Sequence, residues 1–137
     1  MEVPRILIVD DEHDARRSVT NYLRRHLECD LHYASGGREA LALLDGGGFD
    51  IILLDIKMPG ISGLDVLRNT RRTQPATDII VITGYANPAL VREILEAGAI
   101  DCILKPSPMG VIFEKVCALL KKRDKFLPKE PDGVAAT

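Results

Sequence analysis

The sequence is short of cysteine, carries no excess of either charge and contains no long apolar run, and each shortage removes a class of function. Cys29, Cys102 and Cys117 are odd in number, lie far apart and form no Cys-x-x-Cys. That pattern argues against a disulfide framework and a thiolate zinc site, and it is expected of reduced, structural thiols. Lys plus Arg at 18 against Asp plus Glu at 20 gives a net charge of −2. Without a global basic field, neither nucleic acid nor an anionic membrane is expected as a direct partner, and a nucleic-acid role would require a second domain. A spanning helix needs about 20 consecutive apolar residues, and no run approaches that length. Met1-Glu2-Val3-Pro4-Arg5-Ile6 offers no signal-peptide core, so a cytoplasmic location is expected. No Gly-x-Gly-x-x-Gly follows the first apolar run, which removes the dinucleotide-binding fingerprint. Trp is also absent, but 46% hydrophobic and 28% charged residues are ordinary for a globular protein.

What is present is one domain's worth of chain, 137 residues, with no internal repeat. A domain of that size buries roughly two-thirds of the surface its unfolded chain exposes and needs no metal or disulfide to fold. Three runs, Ile6-Leu7-Ile8-Val9, Ile51-Ile52-Leu53-Leu54 and Ile79-Ile80-Val81-Ile82, are apolar without alternation. Such runs suit strands covered on both faces, as in a parallel sheet between helices. Leu31 to Ala34 is a shorter, more polar strand suited to an edge, and Cys102-Ile103-Leu104 a last short one.

Helical periodicity fills the intervals. It begins at Asp14 with Val19, Leu23 and Leu27 inward, and continues through Ala40, Leu41 and Leu44 until Gly46-Gly47-Gly48. Ser62-Gly63-Leu64-Asp65 has capping-box spacing and predicts a third helix ending near Thr73. Asn87-Pro88 is a cap with Pro in the first turn. Ser107-Pro108 predicts a similar start for the final helix, which runs to about Lys122. Arg123 to Thr137 has no periodic apolar face and reads as a tail or linker stub after a domain spanning residues 1–122. Successive strand starts lie 20 to 28 residues apart, room for one crossover helix each. The expected fold is an α/β, doubly wound parallel sheet of five strands with five flanking helices.

Four of these strands end on chemistry. Asp10 and Asp11 follow the first, Asp55 the third, Thr83 the fourth and Lys105 the fifth, all at the carboxyl edge where open parallel sheets bind ligands. Taken singly, Asp10-Asp11 reads as a helix cap, Thr83 as a buried strand hydroxyl and Lys105 as a solvated charge. Clustered carboxylates need a cation, and an all-oxygen set suits Mg²⁺. Mg²⁺, a lysine and a hydroxyl together would stabilise a phosphoryl group on its way to an Asp oxygen.

In Ile-Leu-Ile-Val-Asp10-Asp11, Leu-Leu-Asp55-Ile-Lys-Met58-Pro59-Gly60, Ile-Thr83-Gly84 and Leu-Lys105-Pro106, the chain from about Arg5 to Lys122 resembles the response-regulator receiver domains of two-component signalling. The resemblance implies a flavodoxin-like sheet in the order 2-1-3-4-5. It implies that Asp55 accepts a phosphoryl group from a sensor histidine kinase or histidine phosphotransfer protein, so the chain would be a phosphoacceptor rather than an enzyme acting on a separate substrate. Asp11, Asp55 and the main-chain carbonyl of Lys57 would ligate Mg²⁺, with Asp10 holding a metal-bound water. Lys105 would pair with the phosphoryl group, Thr83 would turn inward to bond it, and Gly84 would leave access. A cis Lys105-Pro106 bond is implied, as is a switching surface of fourth helix, fifth strand and fifth helix that could pair two copies. A missing C-terminal effector domain is a further implied partner.

Two departures bear on output and lifetime. Cys102 stands where the family usually has Tyr or Phe, and Lys57 and Tyr85 occupy positions that vary with phosphoryl lifetime. A phosphohydrolase of the haloacid dehalogenase type would place its nucleophile after the first strand as Asp-x-Asp, whereas this chain has Asp10-Asp11-Glu12 there. An interaction module of the same shape without phosphorylation is the other alternative, and the full residue set argues against it. His13, His26 and His32 lack metal-ligand spacing, and the four arginines of the first helix read as a solvated face, in a region that the resemblance also implies in docking to histidine-phosphotransfer helices.

Overall fold

A computed structural model describes residues 2–57, 62–84 and 87–129. Its five strands are β1 (Arg5–Val9), β2 (Asp30–Ala34), β3 (Ile51–Asp55), β4 (Asp78–Thr83) and β5 (Asp101–Leu104). The helices α1 (His13–His26), α2 (Gly37–Asp45), α3 (Gly63–Thr73), α4 (Pro88–Glu96) and α5 (Met109–Lys122) alternate with them. All strand pairs are parallel, and the sheet order is β2-β1-β3-β4-β5.

The unbroken apolar runs are explained by what covers each face. Side chains of a strand alternate between faces, so a strand buried on both must be apolar throughout. Leu7, Val9, Ile52, Leu54, Ile79 and Val81 pack on one side with Ala40, Leu44, Val66, Leu67 and Ile94 from α2, α3 and α4. Their neighbours Ile6, Ile8, Ile51, Leu53, Ile80 and Ile82 pack on the other with Leu23 and Leu27 at α1 and Ile112, Val116 and Leu120 from α5. At the β2 edge, Asp30 and Tyr33 are exposed, as the polar pattern required.

Caps formed unevenly. Ser62 Oγ accepts from the Asp65 amide at 3.2 Å, and Asn87 Oδ1 accepts from the Ala89 amide at 2.9 Å. At α5 the N-cap is Pro108, which has no side-chain cap bond, so Ser107 does not cap that helix.

The segment after Lys122 departs from the sequence expectation through residue 129. The Arg123 guanidinium meets Asp50 at 3.2 Å and Asp78 at 3.0 Å, and also donates to the Ala76 carbonyl. Lys125 reaches Asp50 at 2.9 Å. The Glu28 amide donates to the Leu127 carbonyl and the Lys129 amide to the His26 carbonyl, each at 2.8 Å, while Phe126 packs beside the α1/α5 core. Periodicity cannot reveal such docking, because the segment is held by charge and by backbone pairing to distant residues. The remainder of the expected tail, residues 130–137, lies outside the described residues.

Asp50 is the hub at this amino edge of the sheet, and its Oδ2 also accepts from the Arg5 amide at 2.8 Å. Burial pushes its carboxyl up, but the Arg5 amide, Lys125 and Arg123 outweigh that and hold it below the usual carboxylate range. A carboxyl depressed in the folded state stabilises fully above its unfolded value, about 3.9, and loses that contribution as pH falls through the folded value. Arg123→Ala is therefore expected to cost about 2 kcal/mol at neutral pH, the scale of a lost charged hydrogen-bond set. The deficit relative to the parent should shrink as Asp50 protonates below about pH 4. Urea melts of both proteins across pH 3 to 7 check this, and a deficit constant over that range would contradict it.

Candidate functional site

Register sets the geometry of the carboxyl edge. Val9 lies opposite Leu54, Asp55 opposite Ile82, and Thr83 opposite Leu104. Asp10 therefore emerges beside Asp55, Thr83 lies one step further along β4, and Lys105 two steps further along β5. Adjacent strands are about 4.8 Å apart, and Asp10, Asp55 and Lys105 line one depression there.

Asp10 is buried, and the turn into α1 uses its side chain: Oδ1 accepts from the Glu12 amide at 2.9 Å. Its carbonyl accepts from Arg16 Nη1 at 2.9 Å. Asp11 is exposed. Asp55 is half-buried, and its Oδ1 accepts from the Lys57 amide at 3.1 Å. Lys105 Nζ stands 3.3 Å from Asp10 Oδ2 and 3.7 Å from Asp55 Oδ2, bridging acids that end strands three and two places away in the sheet. The peptide bond after it, Lys105-Pro106, is cis. Thr83 is fully buried, and its carbonyl accepts from the Lys105 amide at 2.7 Å. Gly84 is exposed, and a side-chain carbon placed on it would meet nothing within 4 Å.

The electrostatics follow from this crowding. Burial pushes the Asp55 carboxyl above the usual carboxylate range; the Lys57 amide and Lys105 pull it down, and Asp10 and Asp11 push it up again. Burial pulls the Lys105 ammonium down, but Asp55, Asp10 and Glu12 outweigh it and hold the group above its ordinary value. Lys105 is therefore a fixed cation. One carboxylate oxygen from each of Asp10, Asp11 and Asp55 falls within 4.8 Å of the other two. Three hard oxygen donors so close together, with one lysine against them, fit a divalent cation of the Mg²⁺ type. A cleft of about 530 Å³ opens beside them, lined by Asp10, Asp55 and Lys105 and by apolar side chains that include Val19, Met109 and Ile112.

An open parallel sheet with acids, a threonine and a lysine gathered at its carboxyl edge defines a receiver-type α/β domain. The chain belongs to the response regulator receiver domain family, whose model matches residues 6–117. It is thus a receiver domain of two-component signalling. It is 34% identical over 131 residues to the response regulator protein PilR of Pseudomonas aeruginosa, covering 96% of this chain and 29% of that protein. It is 40% identical over 119 residues to the transcriptional regulatory protein ResD of Bacillus subtilis, covering 86% of this chain and 48% of that one. The chain therefore spans less than half the length of these two curated relatives. Chemotaxis protein CheY-3 of Vibrio cholerae is 33% identical over 120 residues, with 86% of this chain and 92% of that protein covered. Among solved structures, a CheY-like receiver domain from Methanospirillum hungatei superposes with a TM-score of 0.84 at 31% identity, covering 90% of this chain and 98% of that one.

The structure brings together Asp10, Asp11, Asp55 and Lys105, as the strand-end pattern anticipated, with Thr83 one step along the edge. Lys57 contributes its amide to Asp55 and is itself exposed, while Tyr85 lies outside the described residues. Cys102 is half-buried and packs beside the α4 side of the core. Burial and the neighbouring Asp101 push its thiol up, which fits a structural role.

Two contributors were missed from sequence. Arg16 is half-buried and holds the Asp10 carbonyl, so it is not merely part of a solvated face. Gly63 lets α3 begin against the end of β3: a side-chain carbon there would sit 2.3 Å from the Asp55 carbonyl oxygen and 2.6 Å from Ile56 Cα. The Ser62-Gly63 pair was legible only as a helix start. Among the described residues no helix is long and apolar enough to cross a membrane.

Proposed function

We propose that the protein is a phosphoacceptor switch in which Asp55 takes a phosphoryl group from the phosphohistidine of a sensor kinase or phosphotransfer protein. The observation that carries this reading is the convergence of the Asp10, Asp11 and Asp55 oxygens with the Lys105 ammonium set between Asp10 and Asp55. An Asp55 oxygen attacks phosphorus, the P–N bond breaks, and its electron pair leaves with the donor imidazole. Asp11, Asp55 and the Lys57 carbonyl are the residues to hold Mg²⁺, with Asp10 acting through a water. The ion supplies charge neutralisation at the phosphoryl oxygens. Lys105 stabilises those same oxygens, and the small Gly84 leaves the approach open. Incubation with a small phosphodonor and Mg²⁺, followed by intact-mass measurement, tests the assignment. An unchanged mass at saturating donor would refute it.

The output proposed for this site runs through Thr83. A receiver is a two-state element, and phosphorylation shifts it only through contacts that differ between states. Thr83 turning toward a phosphoryl oxygen is such a contact, and Thr83 ends the strand that precedes α4 in the chain. Cys102 is too small to fill the space of a ring or to carry the signal outward. Thr83→Ala is expected to leave Asp55 labelling largely intact while diminishing phosphate-dependent amide shifts over residues 84–99 and 102–113. Cys102→Ala should preserve them, and their loss in that variant would return the transmitting role to position 102. The α4-β5-α5 surface is the proposed site of pairing with a second copy or of contact with an effector domain.

A further inference from the structure

The face of α1 turned toward edge strand β2 carries a cleft that the Asp55 site does not use. His13, Arg16, Arg17, Arg24 and Tyr33 line it, and among the described residues no carboxylate does, in a chain whose net charge is −2. Glu39, whose carboxyl feels Arg16, is already taken by the amide and hydroxyl of Ser35. Arg16 is also engaged: it holds the Asp10 carbonyl, stands 3.3 Å from His13 Nδ1, and lies 5.4 Å from the centre of the Tyr33 ring.

Arg17 and Arg24 differ. Among the described residues neither guanidinium has an ion pair or hydrogen bond. They are seven residues apart on one helix face, a rise of about 10.5 Å, which suits an extended di- or triphosphate better than a lone phosphate. Guanidinium forks are matched to phosphate oxygens, and like charges left unneutralised on one face repel each other. Tyr33 adds the second element. It is 49% exposed on the edge strand, a flat aromatic surface standing at the same cleft. Base stacking on such a ring is worth roughly tenfold or more in affinity.

We propose that this cleft binds a nucleotide carrying two or more phosphates, with the phosphates between Arg17 and Arg24 and the base against Tyr33. The site is separate from the acid cluster and does not depend on the phosphoacceptor reading.

The test is calorimetric titration of the whole chain with ATP, pyrophosphate and adenosine, without divalent ions and at low ionic strength so that exposed charges are not screened. ATP should bind one site, more tightly than pyrophosphate or adenosine. The Arg17→Ala, Arg24→Ala double variant should weaken ATP roughly a hundredfold, about tenfold for each charged hydrogen-bonding partner removed. Tyr33→Ala should weaken ATP about tenfold and leave pyrophosphate unchanged. Arg16 is kept intact because it also supports Asp10. Labelling of Asp55 by a small phosphodonor should be normal in the arginine variant, so failure of this site and failure of the Asp55 assignment are read separately. No ATP binding would overturn the proposal. Pyrophosphate binding as tight as ATP with indifference to Tyr33→Ala would reduce the cleft to a bare anion patch and overturn it as well. Loss of ATP binding in Lys105→Ala, with no loss in the arginine variant, would place the ligand at the acid cluster instead.

Discussion

Asp55→Asn is expected to remain at its unmodified mass under conditions in which the parent chain gains a phosphoryl group. An amide oxygen is a far weaker nucleophile than a carboxylate, and the substitution also removes one of the three carboxylates whose oxygens converge within 4.8 Å. Loss of labelling to background is therefore expected, not a partial reduction. Excess chelator should abolish labelling of the parent, because the clustered carboxylates of Asp10, Asp11 and Asp55 otherwise repel an anionic donor. Lys105→Ala should slow labelling by roughly a hundredfold, the scale of removing one preorganised donor from a developing charge. That variant also leaves Asp10 and Asp55 facing each other without their shared cation. Equal phosphoryl yield from Asp55→Asn, or labelling undiminished in chelator, would remove the assignment.

Gly63→Ala is expected to destabilise the fold by about 3 kcal/mol, at the upper end for overpacking a well-filled site. The atoms a new methyl would meet are backbone, the Asp55 carbonyl oxygen, Ile56 Cα and the Ile56 carbonyl oxygen, and no flexible side chain can give way. The Gly63 amide also donates to the Ile56 carbonyl at 3.2 Å, so pushing α3 outward breaks that link. Since Asp55 ends the same strand, the displacement should be felt at the phosphoacceptor too. Urea denaturation with phosphodonor labelling in the remaining folded range checks both effects. A stability change below about 0.5 kcal/mol, within the range of neutral surface substitutions, would show that the close approach relaxes freely.

Much of the site was legible because parallel-sheet proteins write it locally. Each of β1, β3, β4 and β5 announces itself by an apolar run and then terminates on its functional residue, so Asp10, Asp55, Thr83 and Lys105 could be assigned to one edge without coordinates. Arg16 was hidden because its guanidinium meets a backbone carbonyl, and nothing in the sequence marks a carbonyl as needing a partner. Gly63 was hidden because a helix start tolerates many residues, and only the closeness of β3 demands glycine there. Ser107 misled for the complementary reason: the sequence pattern of a cap is present, but the chain enters α5 one residue later, at Pro108.

The sequence by itself determined the number and kind of elements, the burial of β1, β3 and β4 on both faces, and the residue types at the carboxyl edge. These are properties of short windows, where side-chain periodicity and turn chemistry act over a few residues. Tertiary structure alone decided which ends touch. Lys105 reaches an acid 95 residues earlier, and Arg123 and Lys125 clasp Asp50 from 73 and 75 residues away, closing a segment that carries no periodicity of its own. The basic cleft also exists only because β2 sets Tyr33 against α1. Distances of that kind follow from strand order and crossover path, which no local pattern encodes.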